Sequence, residues 1–395
     1  MFQLITANGI HRALGVARRE ATGGVCLAIA SIAALGWANL WPGSYDHAWH
    51  QHARALDFLG VRLTAQDWVN QGLLFAFFTG VGLEIRREIT VGELRSARRA
   101  LVPVGAALVG MAVPALVYTA VIAGGTGAGG WGIPMATDVA FALGTLALIG
   151  GVSTRARVFL MTLAVADDIA SILVLVIFYG THLRAGWLLG GLAAAALATA
   201  LWWHRRSTGF LRSLLLALTW WAMLHAGIEA SVFGVVLGLV GPARPTPGRL
   251  PRVRWWETQL EPLVNVAVLP LFALANIGIH LDSSTLGNAS AVRIFVAVLL
   301  ARILGKPLGI ALGAAAARRA IRTRRPAALA AKPLVGVAGL ASIGFTVPLL
   351  IIARALPAGP LGDAATAGLL AGSVVGMAAG AVWLRGPWLR PQAQG

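Results

Sequence analysis

The tightest constraint on this chain is a pair of adjacent carboxylates, Asp167 and Asp168, near the middle of an apolar run from Val158 to Tyr179. The run is long enough to cross a bilayer as a helix. In hydrocarbon only a helix or a closed barrel pairs every backbone polar group. An ionised side chain at the centre of such a helix costs roughly 2.5–3.5 kcal/mol on insertion scales, and two neighbouring like charges also repel. Packing gains nothing from that placement. Acids kept there point to a proton or cation site inside the membrane.

Composition agrees. Hydrophobic residues make up 57% of the 395 and charged residues 12%, with a mean hydropathy of +0.76. These values exclude an ordinary soluble domain and call for a polytopic, all-α membrane protein embedded in lipid. The formal charge of +17 does not mark a nucleic-acid partner, because the arginines fall between apolar segments rather than along one face. The single cysteine, Cys26, can form neither an internal disulfide nor a metal cluster.

About twelve spans of ~20 residues are readable. The first covers about Gly23 to Trp41 and is too long for a signal h-region. Next come Trp68 to Leu83, followed by Glu84-Ile85-Arg86-Arg87-Glu88, then Leu101 to Ala123, Gly132 to Gly150 and Val158 to Tyr179. Later spans are expected at about 185–203, 209–223, 227–241, 260–279, 294–316, 333–354 and 364–384. Arginines alternate in density across every crossing. Arg155/Arg157, Arg205/Arg206 and Arg318/Arg319/Arg322/Arg324/Arg325 would lie inside, whereas the outer loops hold little: Arg54 and Arg62, then Arg184, Arg293 and Arg354. That alternation supports an even number of crossings with both termini in the cytoplasm. The chain thus reads as one integral-membrane domain, 1–395, with a cytoplasmic segment 1–22, an extracytoplasmic loop 42–67 and a cytoplasmic tail 386–395. Within the loop, 56–63 could pair as a hairpin, and the loop is the candidate contact for a homodimer. His47, His50 and His52 lie there without a carboxylate or cysteine at matching distance, so they read as a solvated loop, not a metal site.

Few charges sit where the spans should be: Asp138, Asp167, Asp168, Lys306 and, near a helix end, Glu229. Neighbouring residues on a helix point about 100° apart, so Asp167 and Asp168 need separate partners. Lys306, beside Pro307, is the only lysine expected deep in a span and the natural partner for one of them. Asp138 closes Gly132-Ile133-Pro134-Met135-Ala136-Thr137-Asp138, a series that breaks a span and restarts it, with Asp138 or Thr137 capping the new helix. A second irregular stretch, Gly336 to Pro348, lies in the other half. Two Gly/Pro-interrupted spans, one per half, point to inverted repeats around a midplane site.

Six runs make the pattern specific: Gly82-Leu83-Glu84-Ile85-Arg86-Arg87-Glu88, Gly132 to Gly144, Ala166-Asp167-Asp168-Ile169, Leu269 to Asn276, Gly305 to Gly309 and Gly344-Phe345-Thr346. In order and over nearly the whole chain, they resemble the NhaA family of bacterial sodium/proton antiporters, itself a standing example of inverted-repeat transporters. The resemblance implies two broken, crossing helices and no enzymatic activity or cofactor, the transported ions being Na+, Li+ and H+. It implies that Asp168 is the main carboxylate for the proton and for the metal ion (Na+ or Li+), with Thr137 and Asp138 at the crossing. By the same resemblance Asp167 pairs with Lys306, Asp138 offsets helix N-terminal dipoles and Lys306 offsets C-terminal ones. Glu84, Arg87, Glu88, Glu257 and Glu261 would line a cytoplasmic region that senses pH. Glu229 stands where the family often has a histidine, which leaves the pH profile open.

The expected cycle is a competition of a proton and a hard cation for the same oxygens, with more protons than sodium ions moved, hence electrogenic. The rival from the same architecture is a sodium-coupled organic-solute symporter. An intramembrane aspartyl protease would need aspartates on separate helices with a Gly-x-Gly-Asp pattern at one of them, and a prenyltransferase would need a second Asp-rich site; the sequence has neither that pattern nor a second Asp pair.

Overall fold

Unpaired backbone amides are not tolerated in lipid, so each apolar run becomes a helix, and where Gly and Pro interrupt a run the helix stops. A computed structural model gives this arrangement for residues 22–51, 63–90, 92–150, 152–180, 184–203, 209–227, 230–240, 260, 262–280, 285, 287–321 and 329–386. Among them, five helices are long and apolar enough to cross a membrane by length and composition: α1 (Thr22–Leu40), α4 (Ala97–Ile122), α6 (Thr154–Tyr179), a helix over Ala289–Ala320 and α15 (Pro360–Arg385). Shorter apolar helices accompany them, including Val139–Ile149, Ala331–Leu340 and Thr346–Ala355. Large apolar side chains face outward along these helices, Ile32 at 71% and Ile177 at 68% exposure among them. That is the surface of a protein solvated by lipid, and the protein is a multi-pass membrane protein.

The remaining elements are α2 (Pro42–His50), α3 (Leu74–Thr90), α5 (Val139–Ile149), α7 (Ala185–Trp203), α8 (Gly209–Ala226), α9 (Ala230–Val240) and α10 (Leu269–Asn276). They are followed by α11 (Ala289–Leu300), α12 (Lys306–Ile321), α13 (Ala331–Leu340) and α14 (Thr346–Ala355). Between α11 and α12 the helix continues through a π turn, Ala301–Gly305. Pro307 has no amide hydrogen to give the ladder, and the wider turn ahead of it absorbs the loss. The π turn Val264–Val268 precedes Pro270 in the same way.

One sequence expectation changes. The second span does not end at Leu83: a capped turn at Ala65–Asp67 and a π turn at Trp68–Leu73 lead into α3, which continues to Thr90. Glu84 to Glu88 therefore lie on the last turns of a helix, where Glu88 becomes buried. The expected span 333–354 is two half-helices, α13 and α14, as the glycines within it foreshadow. The start of the 42–67 loop is helical, whereas the expected hairpin at 56–63, apart from Leu63, lies outside the described residues. So do Glu229, Glu257, Glu261 and nearly all of the two terminal segments.

In lipid, apolar surface alone does not drive helices together; close backbone approach does. Helix α12 packs along α4, and Gly309 and Gly313 make the approach possible. A Cβ on Gly313 would stand 2.3 Å from the Gly105 carbonyl, and one on Gly309 would stand 2.5 Å from that of Val109. This seam fixes the depth of Lys306, the first residue of α12. Helix α15 lies against α11 and α13, and α6 against α4. The centre of the bundle is thus walled by α4, α6, the α11–α12 helix and α15, with the two broken segments inside.

Candidate functional site

The first broken segment begins with a 3-10 turn, Ala128–Gly132, runs through Met135, Ala136 and Thr137, and restarts at α5. Asp138 is the N-cap of α5, its carboxylate accepting from the Phe141 amide at 3.1 Å. Asp and Asn are strong caps because a short acceptor reaches the free amides of the first turn, and a carboxylate also meets the positive end of the helix dipole. The second broken segment spans the gap between α13 and α14. The two interruptions are joined through their backbones: the Asp138 amide donates to the Ile343 carbonyl at 2.8 Å, and Thr137 Oγ1 donates to the Ala341 carbonyl at 2.8 Å. Thr346, opening α14, approaches Asp138 Oδ2 at 3.4 Å. Each break satisfies amides and carbonyls freed by the other, which is how irregular backbone survives at membrane depth.

Helix α6 presents the acids to this crossing. Asp167 is fully buried and its Oδ2 lies 2.8 Å from Lys306 Nζ, a hydrogen-bonded ion pair. Lys306 Nζ also donates to the Met135 carbonyl, so one ammonium ties α6 to the first break. Asp168 points elsewhere, as the 100° step requires. It keeps 8% of its surface accessible and has no hydrogen-bond or ion-pair partner among the described residues. The charges nearest to bear on it are Asp167, Asp138, Glu84 and Lys306. One turn beyond Asp167, Ser171 is also buried, and neither its hydroxyl nor Asp167 Oδ1 has a hydrogen-bond partner among the described residues.

The sequence reading missed Arg302. It is wholly buried on the π turn before Lys306, its Nε donating to the Ser342 carbonyl at 2.8 Å and its Nη2 to the Ala136 carbonyl at 3.0 Å. The carbonyl ends of both breaks are therefore met chiefly by Arg302, with Lys306 taking Met135, so the positive charge at the crossing is shared rather than supplied by Lys306 alone. Gly344 makes room for it: a Cβ there would lie 2.0 Å from Nη2. The available signal was spacing, since residues i and i+4 share a helix face and Arg302 stands four before Lys306.

At one end of the bundle Glu88 is buried, its Oε1 accepting from the Glu93 amide at 2.8 Å and from Thr162 Oγ1 at 3.3 Å. Thr162 lies on α6 before the two aspartates, so Glu88 reaches the helix that carries them. Glu84 and Arg87 form a half-exposed pair at 3.9 Å on the same helix as Glu88. Among the described residues no group of three or more His, Cys, Asp and Glu is placed to hold a metal ion. A cation at the crossing would therefore use carboxylate oxygens together with hydroxyl or carbonyl oxygens, a donor set suited to hard ions.

The sequence profile of the family described as Na+/H+ antiporter 1 matches residues 15–384. The chain is 40% identical over 387 residues to the Na(+)/H(+) antiporter NhaA of Acidovorax sp. (strain JS42), the alignment covering 95% of this chain and 91% of that protein. It is 38% identical over 376 residues to the Na(+)/H(+) antiporter NhaA of Nocardia farcinica, covering 93% and 89%. Its fold is similar to that of the sodium proton antiporter MjNhaP1 from Methanocaldococcus jannaschii at pH 8, with a TM-score of 0.51 at 15% identity, covering 98% of this chain and 97% of that one. The protein belongs to the Na+/H+ antiporter 1 family, which bears out the resemblance first read from its six motifs.

Proposed function

We propose that the protein is a secondary transporter that exports sodium, and lithium in its place, in exchange for protons. The observation that carries this reading is the contrast between two adjacent acids. Asp167 is locked to Lys306, whereas Asp168 sits beside that pair, slightly accessible and without a partner among the described residues. A lone carboxylate at the edge of a buried cluster can take either a proton or a hard cation, but two charges of one sign will not both stay in so small a space. Occupancy by one therefore excludes the other, and exchange follows if the site changes access only when loaded. Thr137, Asp138 and the unsatisfied Ser171 hydroxyl supply oxygen atoms near the crossing, and Asp138 answers the dipole of α5.

Direction and polarity belong to the same proposal. Arginine alternation places both termini in the cytoplasm of a bacterial inner membrane. Glu84, Arg87 and Glu88 then face that side and act as the pH-sensitive entrance, joined by Glu229, Glu257 and Glu261. More protons than sodium ions move per cycle, so the membrane potential drives export, and the 42–67 segment is the contact of a homodimer. The relatives are named as antiporters, which disfavours the solute-symporter alternative. The test is direct: everted vesicles holding the protein, with a preset pH gradient, should lose that gradient on addition of sodium or lithium between about pH 6.5 and 9. A gradient that persists through both additions would defeat the proposal.

A further inference from the structure

We infer that Arg302 is a positioning residue of the exchange site, a permanent cation that ties the two interruptions into one crossing and opposes the binding of cations there, protons included. The inference rests on the exchange reading above. Three observations carry it. First, the guanidinium is fully buried, and its fork reaches one carbonyl of each interruption, Ala136 and Ser342. The guanidinium holds them from two separate nitrogens, Nη2 and Nε, in one fixed plane, whereas an ammonium would have to reach both carbonyls from a single atom. Second, the surroundings are cut to fit it. A Cβ on Gly344 would meet Nη2 at 2.0 Å, and one on Gly372 of α15 would meet the Arg302 Cβ at 3.1 Å. Third, among the described residues no carboxylate lies within ion-pair distance of Arg302 and Nη1 has no hydrogen-bond partner. Cations at membrane depth pair with an acid or with backbone carbonyls; this one is held by carbonyls, so no acid cancels its charge at contact distance among those residues.

The charged groups that bear on it are Asp167 on α6, Asp138 at the first break and Lys306 on its own helix. Facing it from α15 is Gly372, with no charge. The fixed charge of Arg302 thus works against proton uptake by acids at the crossing without itself titrating in the physiological range. Lys306, by contrast, is engaged with Asp167.

The test uses the full chain in proteoliposomes, measuring exchange against pH and sodium concentration for wild type, Arg302→Lys, Arg302→Gln and Arg302→Met, with thermal melting of each. Removal of the charge should raise the pH of half-maximal exchange, measured at sodium well below saturation, by about one unit, a tenfold change in proton activity, and lower the apparent KM for sodium at pH above that midpoint, since one positive charge repels both cations. Arg302→Lys should keep the wild-type pH midpoint but show a lower maximal rate, since one fork contact is lost. Neutral variants that only melt earlier, with unchanged pH midpoint and KM, would reduce Arg302 to packing and overturn the inference. If neither neutral variant folds, Arg302→Lys decides: a midpoint displaced by more than about half a unit overturns it, and a retained midpoint with a lower rate supports it. Absence of exchange in the wild type would instead sink the exchange reading itself.

Discussion

Lys306 Nζ and Asp167 Oδ2 lie 2.8 Å apart with neither side chain accessible to solvent, while the neighbouring Asp168 has no such partner among the described residues. One helix thereby carries two adjacent carboxylates in different electrostatic states. The ion pair spans α6 and the start of α12 and, through the Met135 carbonyl, the first break.

The pair should be strongly coupled. Removing one member of a buried ion pair leaves an uncompensated charge and costs about 3–5 kcal/mol, whereas removing both can be close to neutral. Lys306→Gln and Asp167→Asn should therefore each melt far below wild type, and the two combined should recover most of the loss. Thermal melts of the purified variants form a double-mutant cycle. Equal, additive losses would show that the two side chains do not support one another.

Asp168→Asn should behave in the opposite way. No hydrogen bond or ion pair among the described residues is lost, so the variant should melt within about 0.5 kcal/mol of wild type and still lose sodium-dependent proton movement. Exchange by the folded variant at the wild-type rate would remove Asp168 from the site.

Asp138 does two jobs that substitution can separate. Asparagine retains an N-cap acceptor, whereas alanine does not and should cost about 1 kcal/mol of stability. Asp138→Asn should then melt like wild type and Asp138→Ala below it, with exchange impaired in both because the charge is gone. Wild-type exchange in the asparagine variant would leave Asp138 as a helix cap alone.

The seam between α4 and α12 should be intolerant of a single methyl group. A Cβ on Gly313 would lie 2.3 Å from the Gly105 carbonyl, an approach that side-chain rearrangement cannot relieve. Gly313→Ala should cost about 1–3 kcal/mol. In α1, Gly36 has open space about it, and Gly36→Ala should be neutral or stabilise by about 0.4–1 kcal/mol. Melting temperatures of the two variants, measured side by side, check the contrast.

Outside the spans, Tyr45 on α2 fastens the segment that follows α1: its hydroxyl donates to the Leu274 carbonyl at 2.7 Å and accepts from the Gly278 amide at 3.2 Å. Burial holds its phenol above the usual tyrosine range, despite the amide bond that opposes the shift. Ionisation is therefore harder in the folded protein than in the unfolded one. The associated stability is complete below the unfolded pKa of about 10 and is lost as pH rises past it. Tyr45→Phe should melt about 1–3 kcal/mol below wild type at pH 8, and the gap should narrow above pH 10. A gap independent of pH up to 11 would contradict the assignment.

The fate of particular residues shows how far reading the sequence could go. The interruptions at 132–138 and 336–348 were legible because Gly and Pro cannot continue a helix and the charges beside them had no place in lipid. The place of Glu88 was less so: hydropathy falls after Leu83, yet α3 continues because Glu88 finds Thr162 and the Glu93 amide. Arg302 was passed over although it falls inside the expected span 294–316, because the charges singled out there were the acids and the lone lysine. Only the fold shows that it, too, is wholly buried and bonded to both breaks.

By itself, then, the sequence determined the all-helical, lipid-embedded architecture, the two breaks and the acids at mid-span, since length, hydropathy and chain-breaking residues act locally. Tertiary structure alone decided which aspartate Lys306 meets, that Thr137 and Asp138 bond to the opposite break, and that Arg302 bridges Ala136 and Ser342. These contacts join residues far apart in the chain, and their distances are set by how closely glycine-lined helices approach, which no local pattern encodes.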